Sequence, residues 1–236
     1  MIKKIKFGVS VEGKDLLGYT FTENKHLPYI FILAGVHGDE IEGLWIANHC
    51  RKMWQDFFPY SFVQVFLVPE VNPDGVLRNT RTNSNKVDLN RNLPTTDWGS
   101  SSEMHERYPP GPYACSEPEN QALVSLIESY QPIAILTLHS YLNPQINANG
   151  NDETGVIDWA DELYKVSPYK KITRGEGIGY ATPGSLGTYA GYEKGIPTIT
   201  YELLRGSNKE KIIQENIVVI EKTLEYFESK HLTRNI

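Results

Sequence analysis

His37 and Glu40 stand three residues apart in the segment Leu33-Ala34-Gly35-Val36-His37-Gly38-Asp39-Glu40, at the end of an apolar run. An imidazole and a carboxylate at that spacing share one side of a turn. Zinc accepts a His nitrogen at about 2.0 to 2.1 Å and a carboxylate oxygen at about 2.0 to 2.2 Å, so the two side chains can chelate one ion. Gly35 and Gly38 let the backbone bend and approach closely, and Glu40 falls at a helix start, where a negative charge is favoured. Such pairs are common on exposed helices, so a metal site needs a third ligand. His139, in Ile135-Leu136-Thr137-Leu138-His139-Ser140-Tyr141, comes directly after a second apolar run, at the same kind of strand end as His37. Two His and one Glu leave a position for water, which is the catalytic rather than the structural arrangement of zinc. His26, His49, His105 and His231 stand in polar or helical contexts without comparable partners and read as surface or packing residues.

The elements that must position these residues alternate between two hydrophobic periods. Apolar or β-branched runs at 29–36, 62–68, 133–138 and 198–203 predict buried central strands. Helices are predicted at 41–57, 117–130, 156–166 and 209–230, the last with Ile213, Ile217, Ile220, Leu224 and Phe227 at three-or-four spacing. Ser116-Glu117-Pro118-Glu119 and Ser207-Asn208-Lys209-Glu210 both fit the capping box that opens a helix. Segments 72–112 and 143–155 are rich in Asn, Gly and Pro and too long for ordinary connections, and long loops on a rigid sheet carry function. The pattern predicts one α/β domain over residues 1–236, a central mixed but mostly parallel twisted sheet flanked by helices. A ligand crevice is expected beyond the carboxyl ends of its strands.

Composition narrows the function classes. Hydrophobic residues make up 40% and charged residues 22%, both globular values, and no stretch approaches the roughly 20 apolar residues of a membrane span. The formal charge of −6, without runs of Lys or Arg, argues against a nucleic-acid partner. Cys50 and Cys115 lie in dissimilar contexts outside any CxxC pair and are expected as reduced thiols. The start lacks the apolar stretch of a secretory leader, from which a soluble, cytoplasmic protein is expected. Gly8 to Lys14 imitates a phosphate loop, but Asp15 replaces the Ser or Thr that would hold magnesium, and 16–21 reads as a strand rather than a helix. Neither HExxH nor GxSxG is present.

Five runs occur in order: His37-Gly38-Asp39-Glu40, Val71-Asn72-Pro73-Asp74-Gly75, Asp88-Leu89-Asn90-Arg91-Asn92, Leu138-His139-Ser140-Tyr141 and Thr200-Tyr201-Glu202-Leu203. With them the chain resembles the zinc carboxypeptidase family over nearly its whole length. The resemblance implies one zinc ion on His37, Glu40 and His139, with Glu202 as the carboxylate that activates water and passes its proton onward. Arg81 resembles the family's oxyanion-stabilising arginine, although Arg78, three residues earlier, could exchange roles with it. Asn90 and Arg91 match the pair that grips the substrate's terminal carboxylate. Tyr180 resembles the tyrosine that closes over substrate, with aromatic packing as its rival reading.

A compact chain, poor in cysteine, looks most like the bacterial murein peptide amidase branch, which implies a small peptide partner, a murein tripeptide, cut at the γ-D-glutamyl to meso-diaminopimelate bond. The far end of diaminopimelate is a zwitterion, for which Asp152, Glu153, Arg174 and Glu176 are the candidate contacts. Two alternatives remain open: a deacylase of N-acyl amino acids, similar to aspartoacylase and succinylglutamate desuccinylase, and a peptide-binding module without catalysis. Oligomeric state has no signature in the sequence.

Overall fold

The structure, a computed structural model, describes residues 2–22, 24, 26–100, 106–175 and 181–234. Its centre is one eight-stranded sheet with strands β1 (Lys3–Val9), β2 (Asp15–Thr20), β3 (Tyr29–Ala34), β4 (Gln64–Val68), β5 (Ala134–Tyr141), β6 (Gln145–Asn149), β7 (Ile172–Arg174) and β8 (Thr198–Leu204). The spatial order is β1-β2-β4-β3-β5-β8-β6-β7. Strands β4, β3, β5 and β8 run parallel to their neighbours in that block, β7 runs parallel to β6, and β1, β2 and β6 join antiparallel.

Continuous apolar runs make the central strands because both faces of the sheet are covered. Ile30, Ile32, Leu136, Leu138, Ile199 and Tyr201 face one core, closed by helices α1 (Ile41–Met53), α4 (Val156–Val166) and α5 (Lys209–Arg234). Phe31, Leu33, Phe66, Val68 and Ile135 face a second core with Leu123, Leu126 and Ile127 of helix α3 (Pro118–Tyr130). Among the described residues no helix is long and apolar enough to cross a membrane. Cys50 and Cys115 are unpaired.

Several expectations need correction. The first helix stops at Met53 instead of residue 57, because Trp54 caps it and turns into the core at 2% exposure. Segment 143–155, read as a loop, contains β6: its amides disfavour a strand by propensity, but Ile146 and Ala148 alternate with them and enter the core. Strands β1 and β7 and a π-helix at Gly187–Glu193 were also not foreseen. Neither capping box forms as read. Glu117 rather than Ser116 is the N-cap of α3, and the Glu119 carboxylate accepts from the Val11 amide and Asn83 instead of its own helix start. At α5 the acceptor is Asn208, which takes the amides of Glu210 and Lys211, while the Ser207 hydroxyl donates to the Leu204 carbonyl. The imitation phosphate loop is the turn of the β1–β2 hairpin, closed between Ser10 and Lys14.

Candidate active site

Three backbone devices bring the predicted ligands together at the carboxyl ends of β3, β5 and β8. After β3, Gly35 takes a φ of +62°, a conformation costly for residues with a side chain, and turns the chain toward α1. Gly38 then passes against a short helix α2 (Pro73–Arg78) so closely that a Cβ would overlap the Gly75 carbonyl carbon. Glu40 occupies the N-cap position of α1 but makes no capping bond, which leaves its carboxylate for the site. His139 lies inside β5, not after it, and pairs in register with Glu202 inside β8. Paired positions share one face of a sheet, so the two side chains stand next to each other.

The geometry is tight. His37 Nδ1 is 2.9 Å from Glu40 Oε1, His139 Nδ1 is 2.9 Å from Glu40 Oε2, and the two Nδ1 atoms are 3.1 Å apart. All three residues are buried, and this is the metal-competent group of His, Cys, Asp and Glu found among the described residues. Three lone-pair donors aimed at one point are reconciled only by a proton or a cation. Tetrahedral ligands of zinc lie about 3.3 Å from one another, a few tenths of an ångström beyond what is seen, so the donor set fits the ion with minor outward movement. The Glu40 carboxylate also accepts from the Ser140 amide at 3.1 Å and from Arg81 Nη1 at 3.2 Å. Burial opposes its ionisation, but the two imidazoles outweigh that and hold it well below the usual carboxylate range. Burial and Arg81 draw the His37 imidazole down, and the Glu40 and Asp88 carboxylates more than reverse this, leaving it raised. His139 is lowered, chiefly by burial.

Asp88, which in the sequence stands out only as the first residue of the run 88–92, lies behind these side chains. Its Oδ1 lies 3.0 Å from His37 Nε2 and accepts from the Asn90 amide at 2.9 Å, and its Oδ2 accepts from Arg81 Nε at 2.9 Å. One buried carboxylate thus orients a ligand, an arginine and the turn Leu89–Arg91. Arg81 and Arg91 both stack on the buried Tyr108 ring, at 4.9 and 5.0 Å from its centroid, which fixes two cations that would otherwise repel. Tyr108 left no signal beyond being an aromatic residue within a long polar loop. The Asn90 side-chain oxygen accepts from the Leu186 amide at 2.9 Å, and Arg91 Nη1 donates to the Asn90 carbonyl at 2.6 Å. Arg78, the rival of Arg81, instead pairs with Glu12 and Ser84 away from the site.

A cavity of about 500 Å³ opens above these residues, lined by His37, Glu40, His139, Arg81, Asn90, Arg91, Tyr108 and Glu202, with the exposed Arg107 and the half-buried Arg205. Burial, and then the charge of Glu40, push the Glu202 carboxyl up to about 8. The expected zwitterion contacts lie elsewhere: Asp152 and Arg174 pair with each other on the exposed surface, Glu153 lies beside Asp152 in an exposed turn, and none of them lines the cavity. Tyr180 and Glu176 lie outside the described residues.

Comparison with known proteins places this geometry. Residues 1–227 match the model of the zinc carboxypeptidase family. Murein peptide amidase A of Vibrio campbellii is 29% identical over 216 residues, 86% of this chain and 80% of the relative. The Escherichia coli protein of the same name is 33% identical over 168 residues, 67% of this chain and 64% of the relative. The crystal structure of the murein-tripeptide amidase from Escherichia coli O157 superposes with a TM-score of 0.72 at 26% identity, covering 94% of this chain and 91% of that one. A family match over almost the entire chain and a buried His/Glu/His group that suits one metal ion lead to one conclusion: the chain belongs to the zinc carboxypeptidase family, a family of hydrolases that work with a single zinc.

Proposed function

We propose that this hydrolase cuts an amide bond beside a free carboxylate, and that its substrate is a small murein peptide opened between γ-D-glutamate and meso-diaminopimelate. The observation that carries the reading is the meeting of His37, Glu40 and His139 within 3.1 Å, with Glu202 one strand over in direct register with His139. Likeness to two murein peptide amidases supports the substrate class.

Zinc held by His37, Glu40 and His139 supplies a Lewis acid for the scissile carbonyl and eases ionisation of a water. The remaining work falls to the chain. Glu202, beside His139 across the β5–β8 pairing, takes a proton from the attacking water and returns it to the leaving amine. Arg81, held by Asp88 and backed by Tyr108, faces the negative charge that develops on the carbonyl oxygen, with no rearrangement needed at that moment. Asn90 and Arg91 hold the carboxylate of the departing residue, for which a planar guanidinium offers paired hydrogen bonds. Tyr180 is assigned the closing role on the family pattern alone. The whole chain acts as one catalytic unit, and a cytoplasmic location belongs to the same proposal.

Incubation of the zinc-loaded protein with defined muropeptides and N-acyl amino acids, read by mass, tests the reading. Release of meso-diaminopimelate from L-alanyl-γ-D-glutamyl-meso-diaminopimelate, with no cleavage of N-acetylaspartate, is the expected result. The opposite pattern would establish the deacylase alternative, and cleavage of neither would refute the proposal.

A further inference from the structure

Two of the guanidiniums that line the cavity have no part in the chemistry above. Arg81 is answered by Asp88 and Glu40, and Arg91 is given to the carboxylate of the departing residue. Arg107 and Arg205 remain. Arg107 is exposed and stacks 5.2 Å from the centroid of Tyr108, the ring that already carries Arg81 and Arg91. It therefore belongs to the wall that holds the departing residue. Arg205 stands on a different wall, and that wall is built around it.

Strand β8 ends at Leu204, and the Arg205 amide prolongs the pairing with β5 by donating to the Tyr141 carbonyl at 3.1 Å. Gly206 follows at a φ of +79°, in the left-handed region, and its amide donates to Glu42 Oε1 at 2.6 Å. The chain is thus turned and tied to the first turn of α1. There Arg205 Nη2 donates to the Asp39 carboxylate and, at 3.2 Å, to the Asp39 carbonyl. Asp39 lies between His37 and Glu40, and Tyr141 lies two residues past His139, so the guanidinium is moored to the segments that carry the metal site. Mooring uses Nη2 alone. Nε and Nη1 make no hydrogen bond among the described residues, and the half-buried side chain lines the cavity. An arginine oriented by a carboxylate from behind offers its remaining N–H groups at low conformational cost.

With the departing residue held by Asn90 and Arg91, the acyl portion of the substrate leaves the scissile carbonyl in the other direction, past the metal ligands toward Asp39 and Arg205. What an arginine fork selects there is an anion. A γ-glutamyl bond supplies one: the side-chain carboxyl is consumed in the scissile amide, and the α-carboxylate of the same residue stays free, a short aliphatic stem away. We propose that Arg205, moored by Asp39, binds this α-carboxylate, so that the enzyme reads an anion on each side of the bond it cuts and discriminates against peptides in which the α-carboxylate is amidated. Amidation removes the charge and turns an NH2 group toward the guanidinium, donor to donor. The assignment rests on the amidase reading above and deepens it by naming what is recognised on the acyl side.

The test compares L-alanyl-γ-D-glutamyl-meso-diaminopimelate with the same peptide amidated at the glutamyl α-carboxylate, using the zinc-loaded protein. The acid should be cut at least roughly tenfold better in kcat/KM, the loss expected for one charge-assisted pair. Arg205→Gln should bring the two values within about threefold of each other, whereas Arg107→Gln should leave the preference in place. A ratio within one variant is insensitive to a general loss of activity or of folded protein. Equal rates in the unmutated protein, or a preference that survives Arg205→Gln, overturn the assignment and leave the amidase reading standing. Equal collapse of the preference in both variants traces it to the overall charge of the cavity and overturns the assignment as well. If neither peptide is cut, the amidase reading fails. Calorimetry of the two uncut peptides then decides the role of Arg205 on its own: binding of the acid at least roughly tenfold tighter, with the difference lost in Arg205→Gln, sustains it, and equal or absent binding overturns it.

Discussion

Replacing Asp88 by Asn removes one charge and keeps the shape, and it should unsettle the metal site from a distance. The carboxylate is wholly buried, lies 3.0 Å from His37 Nε2 and accepts from Arg81 Nε at 2.9 Å. An Asn oxygen can still accept from His37 and the Asn90 amide, but its NH2 group then meets Arg81 Nε–H donor to donor. Breaking one side of a buried ion pair costs about 3–5 kcal/mol, and the retained acceptor puts Asp88→Asn near the lower end, about 3 kcal/mol of folding stability. Loss of a partner behind a ligating His weakens metal binding by roughly 10- to 100-fold, equivalent to about 1.4–2.7 kcal/mol. Competition with a chromophoric chelator at neutral pH measures the affinity, and thermal unfolding with and without zinc measures the stability. The pH dependence has a definite sign. Burial opposes the Asp88 charge, but Arg81 and His37 hold its carboxyl well below the ordinary range, so its contribution is complete above about pH 4 and disappears on acidification toward that depressed value. The gap in stability between the two proteins should therefore narrow as pH falls below about 4. A zinc affinity within about threefold of the unmutated protein, together with an unchanged melting curve, refutes the role given to Asp88.

Glu202→Gln should keep zinc bound while turnover falls by roughly 10²- to 10⁴-fold, measured by steady-state kinetics alongside metal content. In chelator-treated protein the Glu202 carboxyl, pushed up to about 8 by burial and Glu40, stays protonated where an unfolded chain has lost its proton. Stability of the unmutated protein should thus decline from about pH 4 to about pH 8, and the Gln variant should show a shallower decline in melting temperature across that window. Arg81→Ala is expected to lower kcat by roughly 10²- to 10³-fold, whereas Arg78→Ala, whose side chain pairs with Glu12 at the surface, should change kcat less than about twofold; equal losses in both would remove the distinction between them. Gly38→Ala places a methyl group against the Gly75 carbonyl and should cost about 1–3 kcal/mol or more, read by denaturant unfolding, with zinc affinity falling as the turn between His37 and Glu40 is displaced.

The chemistry of this protein was written in short local patterns, and its selectivity was not. His37 and Glu40 at three-residue spacing after an apolar run, and His139 directly after another, declared a metal site because ligand type and apolar runs are local properties that sequence carries directly. The α/β class followed for the same reason, since a strand buried on both faces needs an unbroken apolar run whatever its neighbours are. Strand β6 escaped notice because Gln145, Asn147 and Asn149 read as a polar loop until β8 lies beside them and turns their alternation into a cavity floor. Asp88 looked like one acidic residue among several, and only the closure of loop 79–92 onto the β3–α1 turn put it behind His37 and Arg81 at once. The cap at Ser116 was misread by the same limitation: Asn92 and Asn83, distant in the chain, reach the start of α3 and draw the Glu117 amide and the Glu119 carboxylate into a tertiary network. Which residues could bind metal was a matter of side-chain chemistry. What stands behind them, and what they were given to grip, depended on contacts between segments far apart in the chain, which no local pattern encodes.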